Sequence, residues 1–159
     1  MSARPAAALT RRLMYTKILV PLDGSSRAEQ ILPHVRELAK HCQSKILLFK
    51  VLEAPSKVPD ANVVHPVPDE EEARALQQRA EAYLADVADR LRQDSLAVQS
   101  RLGSGPVVEA ILNAAVQEGS DLVAFASHGR SGLSRVFYGS VAAGLLQRID
   151  RPILLIRST

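Results

Sequence analysis

The stretch Asp121-Leu122-Val123-Ala124-Phe125-Ala126-Ser127-His128-Gly129, resumed after a nine-residue interval by Gly139-Ser140-Val141-Ala142-Ala143-Gly144-Leu145-Leu146, decides how the rest of the chain is read. Asp121 to Phe125 is an acid followed by a continuous apolar run, the pattern of a buried strand. Val141 to Leu146 reads as the first turns of a helix. The Gly/Ser segment between them joins a strand end to a helix start. Backbone N–H groups in such a loop are free to hold an anion, so a phosphorylated ligand is the expected occupant.

Working outward, strands and helices alternate. Lys17-Ile18-Leu19-Val20-Pro21-Leu22 is a short apolar run ended by Asp23-Gly24-Ser25-Ser26, a turn and helix-start signal. Ile31, Val35, Leu38, Ala39 and Cys42 follow at helical spacing. Lys45 to Leu52 is a second strand, and Ala54 to Pro68, with four prolines, is a loop. Asp69-Glu70-Glu71-Glu72 opens a long helix, its acids complementing the helix dipole. Ala73, Leu76, Ala80, Tyr83, Leu84, Val87 and Leu91 form the expected buried face. Ala97 to Arg101 is a short strand, and Gly103-Ser104-Gly105-Pro106 is a loop leading into a helix. That helix carries Val107, Val108, Ile111, Leu112, Ala115 and Val116, with Gly119 as its C-cap. Arg151-Pro152 leads into a last strand, Ile153-Leu154-Leu155-Ile156. Continuous apolar strands between amphipathic helices predict a parallel sheet covered on both faces. The fold class is therefore α/β, a single-domain, doubly wound, five-stranded parallel sheet.

Composition narrows the function classes. The chain has 159 residues, 47% apolar and 23% charged, with 4% aromatics and no Trp. An aliphatic core is implied, and a base-stacking surface for single-stranded nucleic acid is disfavoured. Arg4, Arg11, Arg12 and Lys17 lie in an acid-free stretch; without these four of the 20 basic residues, 16 oppose 17 acids. The body is thus near neutral, which argues against a nucleic-acid partner. The longest apolar runs fall short of the roughly 20 residues of a membrane span, so no membrane partner is expected. A lone Cys42 makes no internal disulfide and suits a reducing, cytoplasmic setting. It falls on a helix's apolar stripe and is expected buried and inert. Residues 1–13 lack an apolar signal core and precede a second Met, Met14. They are expected to be a flexible extension, with the domain spanning 14–159.

Ligands of doubly wound sheets bind beyond the C-terminal strand ends, where strand order reverses. The residues at those ends are Pro21-Leu22-Asp23, Val51 and Phe125-Ala126. An Asp facing a crevice suits a ribose hydroxyl or a metal; it equally suits an N-cap or Asx turn. Exposed backbone near Val51 can read an adenine edge. Gly129, Gly139, Ser140 and Val141 can supply amides to phosphates, and Ser140 a hydroxyl.

This constellation resembles the universal stress protein family, from about Tyr15 to Arg157. Lys17 to Ser25 is similar to that family's first strand and turn, and Ser127 to Arg135 through Gly139-Ser140-Val141-Ala142 to its nucleotide loop. The ATP-binding branch carries Gly, two residues, Gly, nine residues, Gly-Ser/Thr. Here Gly129, the interval, Gly139 and Ser140 match, and Ala126 stands at the first Gly position. The resemblance implies strand order 3-2-1-4-5, a Rossmann-like sheet of the adenine-nucleotide alpha hydrolase type. It implies that Pro21, Leu22 and Asp23 border the adenosine, with Asp23 on the ribose, and that Val51 lies against adenine. Phe125 and Ala126 would sit near sugar and base. Gly129, Arg130, Gly139, Ser140 and Val141 would hold the phosphates, Arg130 as a clamp or as a solvated side chain.

The implied ligand is ATP, or ADP or AMP, with Mg or Mn. The implied role is a regulatory stress-response module with slow hydrolysis at most. His128 has no partner at a recognisable spacing, and no catalytic residue is assigned. Two alternatives stand beside this: a nucleotide-free dimeric adaptor, which the extra methyl of Ala126 favours, and a nucleotidyl- or phosphoryl-transfer enzyme. In the implied strand order, Ile153 to Ile156 forms an apolar sheet edge, which invites pairing with a second copy. A homodimer through this strand is expected.

Overall fold

Ile18, Leu19 and Val20 are each fully buried, so the first strand, β1 (Lys17–Pro21), is covered on both faces. The alternation of strand side chains divides these residues between two cores. Ile18 and Val20 pack with Ile46, Leu48, Val35, Leu84, Val87 and Leu91 on one face. Leu19 packs with Leu47, Phe49, Ile111, Val123, Phe125 and Leu145 on the other. The computed structural model describes residues 14–52, 70–128 and 139–158. The expected extension 1–13, the proline-rich loop, and Gly129 and Arg130 lie outside them.

The remaining elements are α1 (Leu32–Cys42), β2 (Lys45–Leu52), α2 (Glu70–Arg92), β3 (Val98–Ser104), α3 (Val107–Gln117), β4 (Leu122–His128), α4 (Ser140–Arg148) and β5 (Ile153–Ser158). A short 3₁₀ turn, Ala28–Ile31, leads into α1. The five strands lie in the order β3-β2-β1-β4-β5, and every neighbouring pair is parallel. This is the doubly wound sheet expected. α1 and α2 cover the first face, and α3 and α4 the second. Burying each large aliphatic side chain contributes about 1.5–3 kcal/mol, so this two-faced core supplies the driving force for the fold.

Local signals account for several element ends. The C-cap of α3 is Glu118, one residue earlier than expected, and Gly119 follows it at φ +62, in the left-handed region where a helix-ending glycine sits. Cys42 is buried on α1. Asp121 holds the start of β1 against β4: its carboxylate accepts from the Thr16 amide (2.8 Å), the Thr16 hydroxyl (2.6 Å) and the Lys17 amide (3.0 Å).

Three expectations are corrected. β3 runs to Ser104, because its ladder with β2 continues through Val51↔Gly103 and Leu52↔Ser104; Gly103 and Ser104 are strand, not loop. β4 likewise runs on to His128, paired with Ser158 of β5. Leu76 of α2 is 46% exposed and Val116 of α3 63% exposed. Helical spacing put both on an apolar face, but burial along α2 begins only at Ala80, leaving Ala73 exposed as well, and Val116 stands in the last turn of α3 beyond its buried residues Ile111, Ala114 and Ala115.

Candidate functional site

The ladder between β1 and β4 comprises Ile18↔Leu122 and Leu19↔Val123. Past it, β1 turns toward β2, where the Leu22 amide donates to the Phe49 carbonyl (2.8 Å). The two central strands thus part at their C-terminal ends, which is the topological switch point of the sheet. A cleft of about 1110 Å³ opens there.

Nine of the eleven residues singled out from sequence line this cleft. Pro21, Leu22 and Asp23 come from the end of β1, Val51 from β2, Phe125 and Ala126 from β4, and Gly139, Ser140 and Val141 from the start of α4. Gly129 and Arg130 fall outside the described residues.

Each wall has a local cause. Asp23 and Gly24 begin a tight turn in which the Ser25 amide donates to Asp23 Oδ1 (2.8 Å) and the Ala28 amide donates to Ser25 Oγ (3.1 Å). Gly24 sits at φ +97, a conformation that favours glycine. Asp23 is therefore the Asx-turn residue and an exposed carboxylate of the cleft wall at once. On the opposite wall, Gly139 is the N-cap of α4 and makes no side-chain cap. The first amides of α4 therefore face the cleft without a capping side chain, at the positive end of the helix dipole. Ala126 lies in regular strand: among the described residues, Gln43 and Ser95 are the non-glycine positions with positive φ. Its backbone has no conformational need for glycine; what differs is one methyl group.

Sequence reading missed the third wall. α2 contributes Leu76, Arg79, Ala80 and Tyr83, and β2 contributes Lys50. Lys50 Nζ donates to the Asp23 carbonyl and stands 5.8 Å from the centroid of the Tyr83 ring. A cation interrupting an otherwise apolar strand was the available signal. Partial burial alone would raise the Asp23 pKa. Hydrogen bonds from the Ser25 hydroxyl and amide, and the charge of Lys50, outweigh it and hold the carboxyl below its ordinary value. Burial and the neighbouring Glu29 carboxylate push the Tyr83 phenol up, so it stays neutral. Glu29 is itself paired with Arg90 at 2.7 Å.

The cleft combines three kinds of surface. It offers an apolar floor (Phe49, Phe125), a carboxylate beside cations on one side, and free helix amides on the other. Among the described lining residues Asp23 is the single carboxylate. No group of three or more His, Cys, Asp or Glu side chains that could hold a metal occurs among the described residues. No described helix is long and apolar enough to cross a membrane.

A universal stress protein of Thermus aquaticus is 30% identical over 154 residues, covering 91% of this chain and all of the relative. The solved structure of the Methanocaldococcus jannaschii protein MJ0577 superposes with a TM-score of 0.75 at 26% identity, covering 92% of this chain and 98% of that one. An Arabidopsis thaliana universal stress protein family structure with AMP bound shares the fold, with a TM-score of 0.64 at 15% identity over 91% of this chain and 92% of that one. A model of the universal stress protein family matches residues 14–157, nearly the whole chain, and the chain belongs to that family.

Proposed function

We propose that the cleft binds an adenine nucleotide, ATP in its full form, and that the protein acts as a regulatory module reporting nucleotide occupancy rather than turning it over. The observation that carries this reading is convergence. Asp23, Val51 and the uncapped start of α4 come from three distant parts of the sequence and line one cleft. Their chemistry suits ribose, base and phosphate in turn: a carboxylate accepts from hydroxyls, a strand end offers backbone to a base edge, and helix amides hold phosphate. The AMP held by the Arabidopsis protein supports the ligand class. Gly129 and Arg130 are assigned to the phosphates on the matching sequence interval.

A divalent Mg or Mn ion would enter with the phosphates. Mg keeps several waters and is commonly held by few protein groups together with phosphate oxygens; Asp23 is kept for the ribose, and no residue of the chain is assigned to the metal. The residues of this chain would bind and orient the nucleotide. With no acid–base pair among the described lining residues, slow hydrolysis at most is expected.

The test is mass spectrometry of small molecules released on denaturing the purified protein, followed by calorimetry with Mg-ATP, ADP and AMP. Co-purified adenine nucleotide, or binding at micromolar to millimolar concentration, supports the reading. Absence of both overturns it and leaves the nucleotide-free adaptor.

A second copy of the chain is the proposed partner. β5 pairs with β4 along one side and is the last strand of the sheet, and its Ile153, Leu154, Leu155 and Ile156 are half-buried. Pairing of two β5 edges would cover this apolar strand. A monomer by light scattering at micromolar concentration would sink the dimer.

A further inference from the structure

We infer that Lys50 is a positioning residue for the ligand's ribose: it ties the Asp23 turn to α2 through Tyr83 and so sets the Asp23 carboxylate to receive the sugar hydroxyls. This rests on the nucleotide reading above and names the part of the ligand on which selection acts.

Phe49 and Val51 pack into the core beneath α3 and α4. Strand alternation therefore sends Lys50 to the other face, toward α2. Two groups meet its ammonium: the Asp23 carbonyl accepts a hydrogen bond from it, and the face of Tyr83 lies 5.8 Å away. The Gly24 backbone passes close by, since a Cβ there would stand 3.4 Å from Nζ. Tyr83 is fixed in turn, because α2 buries Ala80, Leu84 and Val87 on either side of it.

Asp23 is consequently held from two directions. The Ser25 amide grips its carboxylate, and Lys50 grips its carbonyl. With both ends of one residue held, the carboxylate is fixed relative to the sheet. The segment that follows the turn is also held to α2, by Glu29 paired with Arg90 at 2.7 Å, but Lys50 is the contact made at Asp23 itself. A cation merely solvated at the cleft mouth would have no such effect on how Asp23 is aimed.

The experiment is isothermal titration of the full chain with Mg-ATP and with Mg-2′,3′-dideoxy-ATP, comparing wild type with Lys50→Met, Lys50→Arg, Tyr83→Leu and Asp23→Asn. A hydrogen bond to a charged group supports a wild-type preference for ATP of about tenfold or more. Lys50→Met and Tyr83→Leu are expected to reduce that preference to about twofold, and Lys50→Arg to restore most of it, since Arg keeps the charge and stacks on aromatic faces. Circular dichroism identifies any variant that fails to fold; Lys50→Arg and Tyr83→Leu then carry the comparison. A preference lost in Asp23→Asn but intact in Lys50→Met and Tyr83→Leu overturns the positioning role and leaves the nucleotide site standing. A wild type that binds both nucleotides alike overturns the ribose role and leaves the nucleotide site standing, whereas a wild type that binds no nucleotide overturns the reading on which it rests.

Discussion

Replacing Gly103 with Ala places a methyl group in the ring of Phe49. The new Cβ would stand nearest Cζ, far inside van der Waals contact, and 3.0 Å from Cε2 and 3.3 Å from Cε1. Carbon atoms settle about 3.5–4.0 Å apart, so the ring tip must retreat by roughly 1 Å. Turning the ring does not help, because Cζ lies on its rotation axis. The ring is 2% exposed and packs in the core beneath α3 and α4, so its retreat meets other side chains. Shifting β3 instead strains the ladder pairs Val51↔Gly103 and Leu52↔Ser104. Overpacking of this kind costs about 1–3 kcal/mol. Ala recovers about 0.5–1 kcal/mol over Gly in a strand, which leaves a net loss centred on about 1 kcal/mol, and about 2.5 kcal/mol at most.

The assay is thermal and urea unfolding followed by circular dichroism. Each kcal/mol lowers Tm by about 2–4 °C in a domain of this size. Phe49→Leu alone is expected to destabilise by about 1 kcal/mol or more through lost ring contacts. The double variant is expected to be more stable than the two losses summed, by about 0.5–3 kcal/mol, because the contact that costs energy is gone. A Gly103→Ala protein at least as stable as wild type would refute the reasoning, and so would an additive cycle.

Gly24→Ala meets both a φ of +97 and the Lys50 ammonium, and is expected to cost about 1 kcal/mol or more in urea unfolding. Gly139→Asp puts a negative charge at the start of α4, where phosphate is proposed to sit. By calorimetry it should weaken ATP by tenfold or more while changing adenosine much less. For Asp121, partial burial alone would raise the pKa, but the bonds from the Thr16 hydroxyl and amide and the Lys17 amide hold it below its ordinary value. A depressed carboxylate stabilises the fold above the unfolded value near 4, and that contribution fades as pH falls through the lower folded value. Asp121→Asn should therefore lower Tm clearly at pH 7 and by progressively less below about pH 4; a difference that stays constant with pH would contradict the assignment.

The sheet was legible because its inner strands β1, β2 and β4 carry buried apolar runs on both faces and its helices are apolar on one. Ile18 and Val20 serve one core and Leu19 the other, so no polar residue interrupts the pattern. Strand ends were less legible. Gly103, Ala126 and Ser127 have weak strand preference, yet the parallel ladders to β2 and β5 carry them onward. Two cleft walls were readable, since ligand sites lie beyond the C-terminal strand ends. The α2 wall was not. Periodicity reports which residues share a helix face, not whether the sheet reaches far enough to cover it, so Leu76 read as core and stands at the cleft. Lys50 likewise acquires its meaning from Tyr83, a partner far along the chain that strand spacing does not indicate.

Ala126 is where these two kinds of information meet. From sequence it is an Ala in a glycine position, and a left-handed backbone would make it a strained replacement. The structure removes that concern, since Ala126 sits in the β4 ladder opposite Ile156 without a positive φ. Its methyl, half-buried, packs against the core beneath α1 and α2 while the residue lines the cleft. The methyl therefore has a structural use that glycine lacks. Ala126→Gly is expected to cost about 0.5–1 kcal/mol of stability and to tighten ATP severalfold by letting the ligand approach the strand end. Calorimetry beside urea unfolding separates the two effects. A stability loss with unchanged ATP affinity would mean that the methyl points clear of the nucleotide, and that this departure from the family's glycine pattern belongs to packing alone.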